Sequence, residues 1–138
     1  MIVIDTSVAV KWTVPEKGTD AALSLIDQQL TAPDLFVIEV GHVLTKKVRM
    51  REIPKEVAAA AFIEIPSQIT LVDCRAFHVR AFELAIRLHH SIFDCYFLAL
   101  AEAANTELVS ADEVFVRKTR EMDPNSPVRL LGEVSRSS

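Results

Sequence analysis

The chain has 138 residues, of which 50% are hydrophobic and 25% charged, and its 19 acids and 15 bases give a net charge of −4. This length and apolar fraction predict one globular domain and exclude a disordered or low-complexity chain. The negative charge argues against a general binder of polyanions, so contact with nucleic acid would need a local basic patch or a bound cation. Two cysteines make no disulfide framework, and neither a signal peptide nor a membrane-length apolar run of ~20 residues is present, so we expect a cytoplasmic protein without membrane contact.

Short apolar runs alternate with helical patterns along the chain. The strands are predicted at residues 2–4, 31–33, 69–72, 107–111 and 128–131, with 31–33 at an edge of the sheet. The helices are predicted at 7–14, 19–30, 35–50, 54–65, 75–88, 91–104 and 113–121. Aligned apolar stripes mark two of them: Leu23, Ile26 and Leu30 in the helix at 19–30, and Val79, Phe82 and Ile86 in the helix at 75–88. This order predicts an α/β domain over residues 1–134 with a central, mostly parallel sheet, followed by a frayed tail at 135–138.

Two acidic residues come directly after predicted strands. Asp5 follows the strand at 2–4, and Asp112 follows the strand at 107–111. Open parallel sheets bind their ligands beyond the carboxyl ends of the strands, so both carboxylates are candidate site residues. Each could instead be the N-cap of the helix that follows, and the sequence leaves that alternative open.

Two further acids lie on apolar helix faces. Glu39 shares a stripe with Phe36 and other apolar neighbours, and a glutamate is rarely buried unless it is paired. A surface position at the edge of the stripe is the alternative for this residue. Asp94 shares a face with Phe97 and Leu98, although the Ser-x-x-Asp spacing of residues 91–94 is also typical of a capping box.

Four carboxylates at one end of a sheet would repel one another unless a cation lay between them. Mg²⁺ and Mn²⁺ bind carboxylate oxygens and waters in such a setting, usually to act on phosphates. No Ser–His or Cys–His nucleophile pair is evident, so water is the expected attacking group. His90 and Asp94 are four residues apart, which would suit a metal pair, but an exposed loop histidine is the simpler interpretation.

Basic residues cluster near two of these acids. They follow Glu39 on its helix and follow Asp112 on the next one: Lys46, Lys47, Arg49 and Arg51, and Arg117, Lys118 and Arg120. The functional interpretation is that they contact nucleic-acid phosphates beside an acidic cleft. The alternative is a solvated face whose cations suit a helix C-terminus.

The four acids lie in four segments: Ile2-Val3-Ile4-Asp5-Thr6-Ser7, Glu39 in a helix after Pro33-Asp34-Leu35, Phe93-Asp94-Cys95-Tyr96-Phe97-Leu98-Ala99-Leu100-Ala101, and Leu108-Val109-Ser110-Ala111-Asp112. Together these segments resemble the PIN-domain ribonucleases, and most closely the VapC-type toxins of toxin–antitoxin pairs. The resemblance extends from Met1 to about Leu131, and the order and spacing of all four acids agree. One departure is Phe93-Asp94-Cys95, where many relatives have Tyr-Asp-Ala, and it removes no carboxylate.

The resemblance implies a three-layer α/β/α fold and an endoribonuclease that hydrolyses RNA phosphodiester bonds with Mg²⁺ or Mn²⁺. It implies that Asp5, Glu39, Asp94 and Asp112 form the catalytic metal site, with Ser7 supporting it by hydrogen bonding. It further implies a homodimer and a cognate antitoxin, a segment of which blocks the acidic cleft.

Two other functions compete with the nuclease. A PIN-like fold could be kept as a non-catalytic binding module, although the complete set of acids argues against it. A receiver-like signalling domain would need a phosphoacceptor such as Asp73 and adjacent acids after the first strand, where Asp5 has no acidic neighbour.

Overall fold

Five short strands form one parallel sheet in the computed structural model, which describes residues 1–134. The strands are β1 (Ile2–Ile4), β2 (Leu30–Pro33), β3 (Thr70–Val72), β4 (Leu108–Ser110) and β5 (Val128–Leu130). They lie in the order β3-β2-β1-β4-β5, and every neighbouring pair is parallel. The predicted α/β class with a mostly parallel sheet is confirmed.

Helices cover the sheet and connect its strands. Those of the described residues are α1 (Thr6–Ala9), α2 (Thr19–Leu23), α3 (Phe36–Arg49), α4 (Lys55–Ser67), α5 (His78–Leu88), α6 (Ile92–Ala103) and α7 (Glu113–Met122), with 3₁₀ turns at Val10–Trp12, Cys74–Phe77 and Leu131–Glu133. Helix α6 packs on the central strands β1, β2 and β4 and buries six of its residues, as expected of a helix that is apolar on most sides. The ring of Phe97 on α6 meets that of Phe36 on α3 edge to face at 6.4 Å, which joins the two helices in the core.

The strand order places the ends of β1 and β4 side by side. The chain adds β2 and β3 on one side of β1 and then crosses back to add β4 and β5 on the other side. Sheets of this kind have a crevice where the strand order reverses, at the carboxyl ends of the strands. Residues that follow β1 and β4 therefore meet there.

The segment before and within β2 differs from the sequence prediction. Helix α2 ends at Leu23, because residues 24–29 turn the chain so that Leu30 can begin β2. Leu23 is 41% exposed while Leu25 is fully buried, so the predicted stripe is wrong. Strand β2 is not at an edge: it pairs with both β1 and β3, and all four of its residues are buried.

The face of helix α5 that packs against the core is not the apolar stripe identified in the sequence. Its buried residues are Ala81, Leu84 and Leu88, which repeat at helical spacing and pack toward α6. The predicted stripe is exposed instead, at 73% for Val79, 60% for Phe82 and 61% for Ile86. Because both faces are apolar, helical periodicity could not decide which one is buried.

The remaining differences concern helix ends. The predicted helix at 7–14 is divided into α1 and a 3₁₀ turn, and α4 continues one residue beyond Pro66. The predicted frayed tail at 135–138 lies outside the described residues. Among residues 1–134, no helix is long and apolar enough to cross a bilayer.

Candidate metal centre

A pocket of about 500 Å³ opens at the carboxyl ends of β1 and β4. Glu39 from α3, Asp94 from α6 and Asp112 after β4 line its wall. Asp5, which follows β1, lies beside them and is 3% exposed. The structure thus brings the four predicted acids together from four separate parts of the chain.

Ser7 joins Asp5 to the end of β4. Its Oγ donates a hydrogen bond to the Asp5 carboxylate and accepts one from the Ala111 N–H at 3.1 Å, which is the supporting contact expected of this residue. Burial raises the pKa of Asp5 to about 7, and hydrogen bonds from Ser110 and Ser7 offset only part of that effect. Asp5 occupies the N-cap position of α1 but makes no side-chain capping hydrogen bond.

Glu39 is half-buried in the first turn of α3, as its apolar neighbours indicated. Thr6 Oγ1 donates a hydrogen bond to Glu39 Oε1 at 3.2 Å. Burial raises the pKa of Glu39 to about 7, and the charge of Asp94 acts in the same direction. This carboxylate is therefore desolvated and lies beside other carboxylates.

Asp94 lies in the first turn of α6 and contacts a histidine. His90 Nε2 is 2.6 Å from Asp94 Oδ2, and the His90 side chain is 12% exposed. Burial raises the pKa of Asp94, while the hydrogen bond from His90 opposes that rise. Ser91 at the N-cap makes no side-chain capping hydrogen bond, so the capping-box alternative does not describe this helix start.

Asp112 is the N-cap of helix α7 and also lines the wall of the pocket. Its Oδ1 accepts a hydrogen bond from the Phe115 N–H at 3.0 Å, so the capping interpretation is correct for this residue. The Ser110 Oγ accepts a hydrogen bond from the Asp112 N–H at 3.1 Å, which holds the turn between β4 and α7. The cap fixes the backbone that carries this carboxylate to the pocket.

The donor set fits a divalent cation. Carboxylate oxygens of Asp94 and Asp112 lie within 4.8 Å of each other with His90 beside them, and Asp5 and Glu39 add two desolvated carboxylates. Carboxylate oxygens are the preferred ligands of Mg²⁺ and Mn²⁺, and a bound cation would compensate both the burial that chiefly raises these pKa values and the repulsion that adds to it.

Two lysines stand at the rim of the pocket. Lys47 was predicted as an RNA contact, whereas Lys11 was not. Both lie near Glu16, with Lys11 Nζ at 3.2 Å and Lys47 Nζ at 3.8 Å from its carboxylate oxygens. They place positive charge beside the acids without neutralising them.

The other predicted RNA contacts lie outside the lining of this pocket. On α7, Arg117 pairs with Glu121 and Arg120 pairs with Glu133. Lys118 donates to the His89 carbonyl at 2.9 Å. The remaining bases are Lys46 and Arg51, which are exposed, and Arg49, which borders a groove between α3 and α4.

The supporting residues Thr6 and Ser110 were not predicted from the sequence, and His90, noted for its spacing to Asp94, was interpreted as an exposed loop histidine. The first two are hydroxyl residues at or next to the ends of β1 and β4, and that position is a signal that could have identified them. The contact of His90 with Lys118 joins residues 28 apart in sequence, and no local pattern indicates it.

The receiver-like interpretation does not agree with this arrangement. Asp73 is exposed at the end of the edge strand β3, where Arg75 binds it, and β2 separates that strand from β1 and Asp5.

Comparisons with known proteins identify the class to which this fold and site belong. The family model of the PIN domain matches residues 2–121, so the chain belongs to the PIN-domain family. Within that family it is a homologue of Ribonuclease VapC1 of Mycobacterium tuberculosis, with 34% identity over 102 residues in each of two strains. The match covers 70% of this chain and 74% of the relative.

Solved structures share the fold at low sequence identity. PAE2754 from Pyrobaculum aerophilum has a TM-score of 0.74 at 15% identity and covers 97% of this chain and 92% of its own. A toxin–antitoxin complex from Klebsiella pneumoniae has a TM-score of 0.63 at 14% identity, with 95% and 98% covered. VapBC2 from Rickettsia felis, bound to a promoter DNA fragment, has a TM-score of 0.65 at 17% identity, with 94% and 98% covered. These likenesses agree with the three-layer α/β/α architecture.

Proposed function

We propose that this protein is a divalent-metal-dependent endoribonuclease that hydrolyses RNA phosphodiester bonds and acts in the cytoplasm as the toxin of a toxin–antitoxin pair. One observation carries the proposal: Asp5, Glu39, Asp94 and Asp112 converge at the ends of β1 and β4 in a homologue of a VapC ribonuclease. A non-catalytic binding module would have no use for four carboxylates held together at a cost in repulsion.

The four acids would hold Mg²⁺ or Mn²⁺ between them. When bound, such a cation lowers the pKa of a water molecule and stabilises the charge that develops on phosphate oxygens. Ser7 and Thr6 orient the carboxylates of Asp5 and Glu39 through their hydroxyl groups. Asp5 is buried, so solvent is excluded from that side of the site. Preorganised charges act more strongly where water is excluded.

The rim lysines would draw the RNA backbone to an otherwise acidic protein. Lys11 and Lys47 line the pocket and are the first candidates for phosphate contacts. Further contacts are proposed for the bases predicted from the sequence: Lys46, Arg49 and Arg51 near the end of α3, and Arg117, Lys118 and Arg120 on α7.

RNA cleavage by the purified protein tests the nuclease. We expect it to cut total cellular RNA in Mg²⁺ or Mn²⁺, to stop when EDTA is added, and to resume with excess Mn²⁺. An Asp94→Asn preparation, purified in the same way, controls for contaminating nucleases. Equal cleavage in EDTA would contradict the metal mechanism, and folded protein that cuts no RNA with either metal would favour the binding module.

Two exposed apolar surfaces suit the proposed protein partners. A groove of about 450 Å³ between α3 and α4 contains Leu44, Val48 and Phe62, and α3 also carries Glu39 at the pocket. We propose that an apolar antitoxin segment occupies this groove and continues to the acidic cleft. The exposed stripe of α5 is the face we propose for a homodimer, since contiguous exposed apolar surface marks protein contacts.

Growth of a bacterial host tests the toxin role. Expression of the chain alone should slow growth, and co-expression of a short neighbouring gene should relieve the effect, because the antitoxin would block the pocket. The matched control is Asp5→Asn, which should leave growth normal at equal soluble expression. Normal growth with abundant wild-type protein would argue against the toxin role and leave the nuclease chemistry to the cleavage assay.

A further inference from the structure

His90 contacts three other side chains beside the proposed metal centre. Its Nε2 is 2.6 Å from Asp94 Oδ2, and its Nδ1 is 3.4 Å from Lys118 Nζ. The imidazole ring also packs against the Phe115 ring, with the centroids 4.8 Å apart and the planes tilted by 41°. A half-buried ring held on three sides has one defined orientation, unlike the exposed loop histidine that the sequence indicated.

The contacts of Lys118 indicate which ring nitrogen of His90 donates and which accepts. A lysine ammonium can only donate hydrogen bonds, and Lys118 Nζ donates to the His89 carbonyl at 2.9 Å and faces His90 Nδ1. Nδ1 is therefore assigned as the acceptor, and the ring N–H is assigned to Nε2. That N–H points to Asp94 Oδ2, so the ring donates to the carboxylate.

We propose that His90 is a positioning residue for the metal centre, and this inference rests on the proposed metal-dependent function. By holding Oδ2 of Asp94, the Nε2–H fixes the rotation of the carboxylate that lines the pocket with Asp112. Lys118 and Phe115 in turn hold the imidazole. The set acts as an outer shell that orients a ligand before a cation binds.

The same contacts argue against His90 as a metal ligand. A ligating Nε2 would have to lose its proton, which would then move to Nδ1 and face the ammonium of Lys118. Metal-bound histidines instead donate their second ring N–H to an acceptor, and Lys118 is not one.

Two substitutions of His90 separate donation from packing. The amide of His90→Gln keeps an N–H near the place of Nε2, while His90→Leu keeps apolar contact with Phe115 and has no donor. The measurement is Mn²⁺ binding to the full chain without RNA, by calorimetry or by the electron paramagnetic resonance signal of free Mn²⁺. We expect His90→Leu to weaken Mn²⁺ binding by about 10- to 100-fold, as for other outer-shell partners, and His90→Gln to remain close to wild type.

The outcomes are distinct. Wild-type affinity in His90→Leu would overturn the positioning role while the metal centre stands. Equal weakening in both variants would also overturn it, because the donor would then not be what matters. A wild-type chain that binds no Mn²⁺ would contradict the metal centre itself and the inference with it. If His90→Leu does not fold, as judged by melting in EDTA, Lys118→Met replaces it: weaker Mn²⁺ binding supports the role, and unchanged binding overturns it.

Discussion

Replacing Asp5 by Asn is expected to lower the rate of RNA cleavage by more than about 100-fold, because loss of even an outer-shell partner costs 10- to 100-fold and Asp5 is proposed as a ligand. The amide has nearly the shape of the carboxylate and can still accept the hydrogen bond from Ser7. It removes the buried charge, so the variant should remain folded. The measurement is the initial rate of cleavage at saturating Mn²⁺, with circular dichroism to verify the fold.

The control for this substitution is Asp27→Asn. Asp27 is an exposed carboxylate in the turn after α2 and does not line the pocket. Asp27→Asn removes one carboxylate, as Asp5→Asn does. Because this carboxylate lies outside the pocket, the control variant should cleave RNA at the wild-type rate. Cleavage by Asp5→Asn at the rate of this control would remove Asp5 from the proposed catalytic site.

The metal-free protein is expected to become less stable as the pH rises from about 4 to about 7. Asp5 and Glu39 have ordinary pKa values of 3.8 and 4.5, and burial raises both to about 7 in the folded state. In this interval the folded protein keeps protons that the unfolded chain has released, so raising the pH favours unfolding. The stability that the two protonated groups contribute is complete below about pH 4 and is lost as the pH rises through 7, and the two pKa values set an upper bound of about 8 kcal/mol on that loss.

Denaturant unfolding in EDTA at several pH values measures this loss. Asp5→Asn should show a smaller decrease than wild type, because one of the two groups no longer titrates. Saturating Mn²⁺ should stabilise the wild type most at high pH, since a ligand stabilises the state that binds it and the cation binds ionised carboxylates. Parallel pH curves for wild type and Asp5→Asn would show that the Asp5 carboxyl does not carry the effect.

Much of the fold could be predicted because the signals are local. Helices α3 and α6 lie within about a residue of their predicted bounds, since their apolar patterns are long and regular. The end of α2 and the place of β2 were predicted wrongly. Leu30 continues a helical spacing, yet it is used in β2, where pairing with two neighbouring strands outweighs the local preference for helix.

Some features of the candidate site could likewise be predicted from the sequence, and others could not. The positions of Asp5 and Asp112 after strands could be predicted, because parallel strands end at one edge of the sheet. The inward position of Glu39 followed from its apolar neighbours. The contacts of Thr6 with Glu39 and of His90 with Lys118 could not be predicted, since these partners are distant in sequence and the contacts depend on how helices pack over the sheet.

The sequence by itself determined the alternation of strands and helices, and the order of the four acids along the chain. These depend on residue spacing and on the chemistry of each side chain. Only the tertiary structure decided that β1 and β4 are neighbours, that Asp5 is buried among other carboxylates, and that α5 exposes Phe82. The physical reason is that strand order and helix facing minimise the free energy of the whole chain, and several arrangements satisfy the same local patterns.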